Sequence, residues 1–481
     1  MMQKSLLCVM VLLALAAAVP EAQPVFRGTE IFPPEEYAAR RAQVLAAIGD
    51  AVAVVRGATE PPGEMPFRQN NQFFYLTGVI EPRAELILDG RAKTATVYVP
   101  PRNERREQSM YGPGLVPGEA AARTTGLDAV EAADAFTPAL TAIAEAGRTI
   151  YTPHRAEVLG SQSSGDPTRL WQANTRDPWD GRTSREQQFV AKLAAAAPRA
   201  TIRDLDPILD ALRAVKSPRE IAVIREATRL TGLGIMEAMR DARPGMFEYE
   251  LQADAEFVFK KGGALGASYF ALIATGPNTY YTHYHRDTAR LADGDLVQFD
   301  YAPDFRNYQS DVTRLFPASG RFTDRQREMY TAYLRLYQAL LMSIRVHATP
   351  AEVVRDAVVK MDAFMASFAF TDPKIRAAAQ AMVEGFRARQ DRTRSLGHNV
   401  GLEVHDVGGL QADTFEPGRI FTIEPQFRIE DEHLGLRLED MILITADGVE
   451  NLSAFVPIEI ADIEALMAEP GLSDARLTIR R

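Results

Sequence analysis

The sequence predicts a mixed α/β (α+β) protein with two domains behind an amino-terminal targeting segment. Its residues are 46% hydrophobic and 25% charged, which is an ordinary globular composition. The length of 481 residues exceeds that of a typical single domain. Short β-rich runs alternate with helical stretches along the whole chain. The second half repeats one layout, a pair of helices followed by strands, without matching residues between the repeats. This repetition of layout favours a domain with pseudo-two-fold symmetry.

Residues 1–22 are predicted to be a secretory signal peptide. A short leader containing Lys4 precedes an almost wholly apolar run, and the alanines at 16–18 suit a cleavage enzyme. The run is shorter than the roughly 20 apolar residues of a spanning helix, although an uncleaved membrane anchor is the alternative. The only cysteine, Cys8, lies inside this segment, so the mature chain would have no thiol. We therefore expect an exported protein, periplasmic or secreted, without stable membrane insertion.

Residues 23–213 are predicted to form an amino-terminal α/β domain. The polar segment Gly160–Thr183, which carries both tryptophans, is expected to be a long surface loop. The other expected elements are a helix over Glu35–Ala47 and β-rich runs at Ala51–Val55, Phe73–Leu76, Ala84–Leu88 and Thr94–Val99.

Residues 214–465 are predicted to form a second domain, followed by a tail of residues 466–481. Capping boxes, in which a Ser or Thr is followed three residues later by Glu or Gln, mark three helix starts. They are Ser217 with Glu220, Thr323 with Gln326, and Thr349 with Glu352. A further helix is expected over Glu248–Lys261, and β-rich blocks are expected over Ser268–Phe316 and His398–Ile460.

Residues 296–316 are the most informative stretch, because their pattern predicts a β-hairpin with an acid on each strand. A turn centred between Phe305 and Arg306 would place Asp300 directly opposite Asp311, with both side chains on one face. Two carboxylates this close repel each other. Either one takes up a proton or a cation lies between them.

Three more candidate ligands interrupt apolar, β-like runs further along, namely His398, Glu424 and Glu439. Period-2 alternation puts Thr313 on the face of Asp311 and Arg437 on the face of Glu439, so each acid has a neighbour that could orient it. A single acid at a strand edge is usually solvated, but several that face inward together need compensation. Four carboxylates and one imidazole suffice for two divalent cations, and the oxygen-rich set favours Mn²⁺ or a similar hard ion.

The order Asp, ten residues, Asp, then His, Glu and Glu closely resembles the pita-bread metallopeptidases, which include methionine aminopeptidase, aminopeptidase P and prolidase. The resemblance implies a pita-bread catalytic domain with five dinuclear metal ligands, which are Asp300, Asp311, His398, Glu424 and Glu439. It implies that Glu424 also carries the proton from the nucleophile towards the leaving nitrogen. It further matches His283 and His405 to substrate-side histidines, although nearby His285 offers another imidazole in place of His283.

The amino-terminal half resembles the creatinase-like domain of aminopeptidase P, which methionine aminopeptidases lack. The stretch Phe67–Gly78 followed by Glu81-Pro82 carries this resemblance, which together with the ligand motifs covers nearly the whole mature chain. One departure follows Glu424-Pro425, where many aminopeptidase P sequences continue with Gly-x-Tyr. Here the chain has Gln426-Phe427-Arg428, next to the predicted metals, which bears on substrate preference.

The resemblance implies a dinuclear Xaa-Pro aminopeptidase, which hydrolyses the bond between an amino-terminal residue and a penultimate proline. The oxygen-rich ligand set makes two Mn²⁺ ions the expected cofactors. The resemblance also implies a homo-oligomer, either a dimer or a tetramer. The nearest alternative is an Xaa-Pro dipeptidase (prolidase). A non-catalytic pita-bread binding protein or a metal-free creatinase-like hydrolase is expected to have lost ligands, and here none is missing. The net charge of −10 argues against nucleic-acid binding through overall charge.

Overall fold

The computed structural model describes residues 30–61, 66–107, 114–158, 163–408 and 414–475. Within them the chain divides into two compact units, the first ending at Arg148 and the second beginning at Thr149. The predicted mixed α/β class is confirmed. None of the described helices combines the length and the apolarity that crossing a bilayer requires. The signal peptide lies outside the described residues, and the domain boundary at residues 213 and 214 stays a prediction.

The first unit is built around four hydrogen-bonded strands. Strand β2 lies between β1 and β3 and is antiparallel to both, while β4 pairs in parallel with β3. The strands are β1 (Val52–Arg56), β2 (Glu85–Asp89), β3 (Thr94–Val99) and β4 (Ala129–Ala132). The helices of this unit are Pro34–Ile48, Asn71–Thr77, Glu104–Arg106, Glu119–Thr125 and Phe136–Glu145, with a 3₁₀ turn at Ala133–Ala135.

The predicted strand at Phe73–Leu76 is wrong, because these residues lie in the helix Asn71–Thr77. The side-chain oxygen of Asn70 accepts a hydrogen bond from the Phe73 backbone N–H at 3.1 Å and caps the helix. Every residue of this helix is buried. A short segment that is buried on all sides shows no helical periodicity, and its aromatic residues favour a strand prediction.

The three capping boxes of the second unit are confirmed at the starts of long helices. In each, the cap hydroxyl accepts a bond from the third helical residue, whose side chain accepts one from the cap backbone. The long helices are Pro218–Asp241, Glu248–Lys261, Asp324–Leu341, Pro350–Ser367 and Pro373–Arg389, and the shorter ones are Asp166–Arg176, Arg185–Ala196, Asp206–Ala214 and Ile460–Met467.

Two of these helices correct the sequence prediction. Helix Pro373–Arg389 adds a third member to the second helical group, so the layout does not repeat helix pairs strictly. Its start is set by Asp372, whose side chain accepts a hydrogen bond from the Lys374 N–H at 2.8 Å. Helix Asp166–Arg176 lies inside the segment predicted to be a loop, because its polar composition hides a helix that is mostly solvated.

The strands of the second unit form small, mainly antiparallel sheets. Strand β9 is central in the order β8–β9–β11, and strand β15 is central in the order β12–β15–β16. Additional pairs are β5 with β6, β7 with β10, and β13 with β14. The strands are β5 (Ile150–Thr152), β6 (Ile202–Asp204), β7 (Gly266–Ala267), β8 (Leu272–Thr275), β9 (Leu296–Asp300), β10 (Pro303–Asp304), β11 (Thr313–Pro317), β12 (Ile420–Ile423), β13 (Gln426–Ile429), β14 (Leu434–Arg437), β15 (Asp440–Ile444) and β16 (Val449–Asn451).

The hairpin over residues 296–316 turns one residue later than predicted. Arg306 and Asn307 have φ angles of 53° and 67°, which identifies them as the two turn residues. In this register Thr313, and not Asp311, lies opposite Asp300. Asp311 is two residues from Thr313, so it keeps the same side of the ribbon as Asp300. Since neither turn residue is glycine, composition did not reveal the register.

Candidate metal centre

The five predicted ligands meet where several strands of the second unit begin or end. The backbone N–H of Thr422 donates to the His398 carbonyl at 2.9 Å, and the N–H of Glu439 donates to the Thr313 carbonyl at 3.1 Å. These two bonds fix the loops that carry His398 and Glu439. The carboxylate positions are Asp300 at the end of β9, Asp311 just before β11, Glu424 directly after β12, and Glu439 between β14 and β15.

The ligand atoms of these side chains form overlapping groups whose members all lie within 4.8 Å of one another. One group contains Asp300, Asp311 and Glu439, and another contains His398, Glu424 and Glu439. Glu439 belongs to both groups. Together the two groups contain all five residues that the sequence predicted. A carboxylate shared by two groups can bridge two cations.

The buried carboxylates have the electrostatics expected of a cation site. Burial raises the pKa of Glu439 well above its usual value, and Asp311 and Glu424 raise it further. Burial also raises the pKa of Asp300 to about 7, although Arg437 opposes this. The Oε1 atom of Glu439 is buried and has no hydrogen-bond partner within the described residues. Divalent cations would satisfy this oxygen and relieve the repulsion, so the donor set fits such ions.

His398 is oriented so that one ring nitrogen faces the carboxylates. Its Nδ1 donates to the carbonyl of Asn399 at 3.2 Å, and its Nε2 lies 3.3 Å from Glu424 and 3.4 Å from Asp311. Burial lowers the pKa of His398, but the two carboxylates outweigh burial and raise it to about 9. A bound cation would displace this proton, and the fixed Nδ1–H would leave Nε2 as the ligand atom.

Arg437 and Thr313 orient the acids, but with different partners from those predicted. Arg437 donates to the carboxylate of Asp300 and, through Nε, to the Thr313 hydroxyl at 3.2 Å. That hydroxyl donates to Glu439 Oε2 at 2.8 Å rather than to Asp311. The shifted hairpin register explains the change, because it brings Thr313 opposite Asp300 and towards Glu439.

Sequence reasoning missed Tyr269, which contacts two of the acids. Its buried hydroxyl lies 2.5 Å from Asp300 Oδ1 and 2.8 Å from Asp311 Oδ1. Burial, followed by the charges of Asp300 and Asp311, raises the pKa of Tyr269 well above 10, so the hydroxyl stays protonated. No local signal identifies it, because a tyrosine at the start of an apolar run reads as a core residue.

His405 lies next to the predicted metal ligands, although the resemblance predicts that it contacts the substrate. Its ring packs on that of His398 with centroids 3.8 Å apart, and one ring nitrogen lies within 4.8 Å of the ligand atoms of His398 and Asp311. Burial, and then the charge on His398, lower the pKa of His405 to about 4. His405 is therefore a neutral imidazole at pH 7.

Of the two neighbouring histidines, His283 lies on the side of the ligands. Burial and the charge of Arg437 lower its pKa, while Glu424 opposes them, so its ring is within electrostatic reach of the site. The ring of His285 instead packs on Phe270, with centroids 4.7 Å apart. The catalytic role of His283 stays a prediction.

The residues at the departure from the family pattern hold the chain next to His283. Arg428 Nη2 donates to the Thr282 hydroxyl at 2.9 Å and to Gln426 Oε1 at 2.6 Å. Gln426 Nε2 lies 3.1 Å from the same hydroxyl. Within the described residues, the altered sequence after Glu424 therefore contacts Thr282, the residue before His283.

The amino-terminal and carboxy-terminal parts of the chain both match known protein families. The sequence pattern of "Metallopeptidase family M24" matches residues 222–446, and that of "Aminopeptidase P, N-terminal domain" matches residues 37–151. A Haemophilus influenzae protein named Xaa-Pro aminopeptidase is 30% identical over 454 residues, which cover 90% of this chain and 97% of the relative. The chain belongs to metallopeptidase family M24.

Solved structures identify the branch of the M24 family. A proline aminopeptidase P II from Yersinia pestis is 30% identical with a TM-score of 0.70, over 91% of this chain and 100% of that one. A zinc-substituted Escherichia coli aminopeptidase P in complex with product is 28% identical with a TM-score of 0.69, over 91% and 98% of the two chains. This M24 protein is a metallo-exopeptidase of the aminopeptidase P branch. Membership favours an enzyme over the binding protein and the metal-free hydrolase.

A buried ion pair contacts the loop that carries Glu439. Arg314 is fully buried and donates to Asp440 Oδ1 and to the Glu439 carbonyl, both at 2.7 Å. Replacing Arg314 by Leu would leave the buried carboxylate of Asp440 without its cationic partner. We expect the free energy of unfolding, measured by urea denaturation, to fall by about 3 to 5 kcal/mol.

The matched control for this variant is Arg321→Ala, at an exposed position beyond the same hairpin. It should change the urea midpoint little, since surface substitutions usually cost less than about 0.5 kcal/mol. Equal midpoints for the Arg314 and Arg321 variants would show that the ion pair does not stabilise the loop carrying Glu439.

Proposed function

We propose that this M24 enzyme is a two-metal Xaa-Pro aminopeptidase. It would release the amino-terminal residue of peptides whose second residue is proline. The observation that carries the proposal is the convergence of four buried or partly buried carboxylates and His398 in groups joined by Glu439. The aminopeptidase P amino-terminal domain over residues 37–151 and the relative named Xaa-Pro aminopeptidase support the choice of substrate.

The proposed metal ligands are the five convergent side chains, and the oxygen-rich set favours Mn²⁺. When bound, divalent cations supply Lewis acidity that activates water and polarises a peptide carbonyl. The protein holds the acids in place through Arg437, Thr313 and Tyr269, whose hydrogen bonds reach Asp300, Glu439 and Asp311. The ligands are Asp300, Asp311, His398, Glu424 and Glu439.

Glu424 is the acid best suited to carry a proton. Its side chain is 26% exposed, compared with 6% for Asp311 and 2% for Glu439, so substrate and water can reach it. We assign to Glu424 the transfer of the proton from the attacking water to the leaving nitrogen. His405 and His283, neutral at pH 7, would donate hydrogen bonds to the substrate carbonyl as negative charge develops on it.

We also propose that the enzyme is exported, to the periplasm or beyond, and acts as a homo-oligomer. The support for export is the leader-like sequence of residues 1–22. The support for a dimer or tetramer is the resemblance of the amino-terminal domain alone. Mass spectrometry of the protein recovered from cell fractions and light scattering of the purified protein test these two statements.

The function is tested by hydrolysis of Ala-Pro-Ala and Ala-Pro with chelator-stripped protein, with and without added Mn²⁺. We expect cleavage of the tripeptide, followed as released alanine, only when the metal is restored, because the acids alone cannot activate water. Cleavage of the dipeptide alone would instead identify a prolidase. Cleavage of neither peptide with any divalent ion would contradict the proposed function.

A further inference from the structure

A cavity of about 360 Å³ opens beside the candidate metal centre in the second unit. His398 and His405 form part of its wall, so a ligand in this cavity would lie next to two residues of the site. Three arginines also reach the cavity, which are Arg155, Arg394 and Arg419. The net charge on the cavity wall therefore depends on which of these arginines are paired with acids.

The acids on the cavity wall are already paired with cations of the protein. Asp210 accepts two hydrogen bonds from Arg155, at 2.9 and 2.7 Å. Asp406 accepts hydrogen bonds from Arg213 at 2.5 Å and Lys216 at 3.3 Å. These carboxylates therefore do not balance the charge of the other arginines.

Among the described residues, no acid is bound to Arg394 or Arg419. Within the described residues, the exposed side chain of Arg394 makes no hydrogen bond and no ion pair. The Nε of Arg419 is buried without a partner in the same part of the chain. Glu416 acts on Arg419 only at a distance, and it already accepts a hydrogen bond from the Thr414 hydroxyl at 2.5 Å. As far as the described residues show, the cavity thus presents positive charge without acidic partners beside His398 and His405.

We infer that Arg394 and Arg419 form a carboxylate-binding subsite for the peptide substrate, so that this enzyme prefers short peptides that bring a carboxylate into the cavity. A guanidinium group binds a carboxylate through two parallel hydrogen bonds, which makes it selective for this group over a neutral amide. The inference rests on the proposed function, since it assumes a peptide substrate at the metal centre.

Charge also determines which half of the substrate enters the cavity. The amino-terminal residue carries an ammonium group, which Arg394 and Arg419 repel. The part of the peptide that follows the scissile bond therefore reaches the arginines. Its carboxylate can come from the chain end or from an acidic side chain, and the two sources have the same chemistry.

The test compares kcat/KM for three peptides with the full-length, Mn²⁺-loaded enzyme: Ala-Pro-Ala, Ala-Pro-Ala amide and Ala-Pro-Glu amide. We expect the tripeptide acid to react about tenfold faster than its amide, as loss of a charge-assisted hydrogen bond predicts. Recovery of the rate with the Glu amide would show that a side-chain carboxylate also reaches the subsite. If only the free acid is fast, the chain end is the source.

The variant Arg394→Gln should abolish the preference for the acid over the amide. Arg392→Gln is the matched control, because Arg392 is exposed on the same segment and does not line the cavity, and it should keep the preference. Equal rates for acid and amide in the unmodified enzyme, or an unchanged preference in Arg394→Gln, would overturn the subsite while leaving the proposed function intact. Failure to cleave any of the peptides would overturn both.

Discussion

Glu439→Gln is expected to lower kcat/KM for an Xaa-Pro peptide about a thousandfold, which corresponds to roughly 4 kcal/mol of transition-state stabilisation. Glu439 belongs to two of the three ligand groups, so the substitution should affect both proposed cations. A glutamine has the same shape but lacks the charge and one of the two oxygens that a bridging ligand needs. Steady-state kinetics at saturating Mn²⁺ measure the effect.

Thermal unfolding of the same variant separates metal binding from folding. The folded-state pKa of Glu439 lies above its unfolded value, so its carboxyl stabilises the metal-free fold only at acidic pH, and this contribution is lost as the pH rises. At neutral pH the uncharged glutamine should therefore leave the Tm of the metal-free protein unchanged or raise it. The increase in Tm on adding Mn²⁺, which reflects binding to the native state, should shrink.

The control for this experiment is Glu131→Gln, at an exposed position in the first unit. It should keep both the activity and the Mn²⁺-dependent increase in Tm. If Glu439→Gln also kept both, Glu439 would not be a ligand and the two-metal arrangement would have to be abandoned.

The features that sequence predicted well depend on neighbouring residues. A capping box needs only Ser217 and Glu220, three positions apart, and the helix they start is observed. An acid that interrupts an apolar run is equally visible without a structure, which is why the ligand candidates could be chosen. Their convergence depends on tertiary structure, but a buried acid needs compensation wherever it lies. The pattern therefore indicated a cation before any contact was known.

The features that sequence missed depend on long-range contacts or on backbone angles. Tyr269 meets Asp300 and Asp311 across 31 and 42 residues of chain, and nothing near it in the sequence signals this. Arg437 was expected to orient Glu439. It donates a hydrogen bond to Asp300 instead, which lies in a different sheet. The turn register depended on positive φ angles at residues that commonly adopt negative ones. Local patterns thus identified the acids together with Thr313 and Arg437, but not Tyr269 or the acid that each supporting group contacts.

His405→Ala is expected to lower kcat by a factor of about 10² to 10⁴ while preserving the Mn²⁺-dependent increase in Tm. His405 lines the cavity beside the ligands, where a neutral imidazole can donate a hydrogen bond to the substrate carbonyl. The matched control is His285→Ala, because the ring of His285 packs on Phe270 and should not contribute to the reaction. Kinetics and thermal unfolding with titrated Mn²⁺ measure the two effects separately.

The pH dependence and the metal affinity distinguish this role of His405 from direct ligation. Its pKa is lowered to about 4, and a nearby cation would lower it further, so it should stay neutral between about pH 6 and 8. The rate should therefore not fall over this range through protonation of His405. However, its nitrogen lies within 4.8 Å of the ligand atoms of Asp311 and His398. A weaker Mn²⁺-dependent increase in Tm for His405→Ala would make His405 a metal ligand and contradict its substrate-side role.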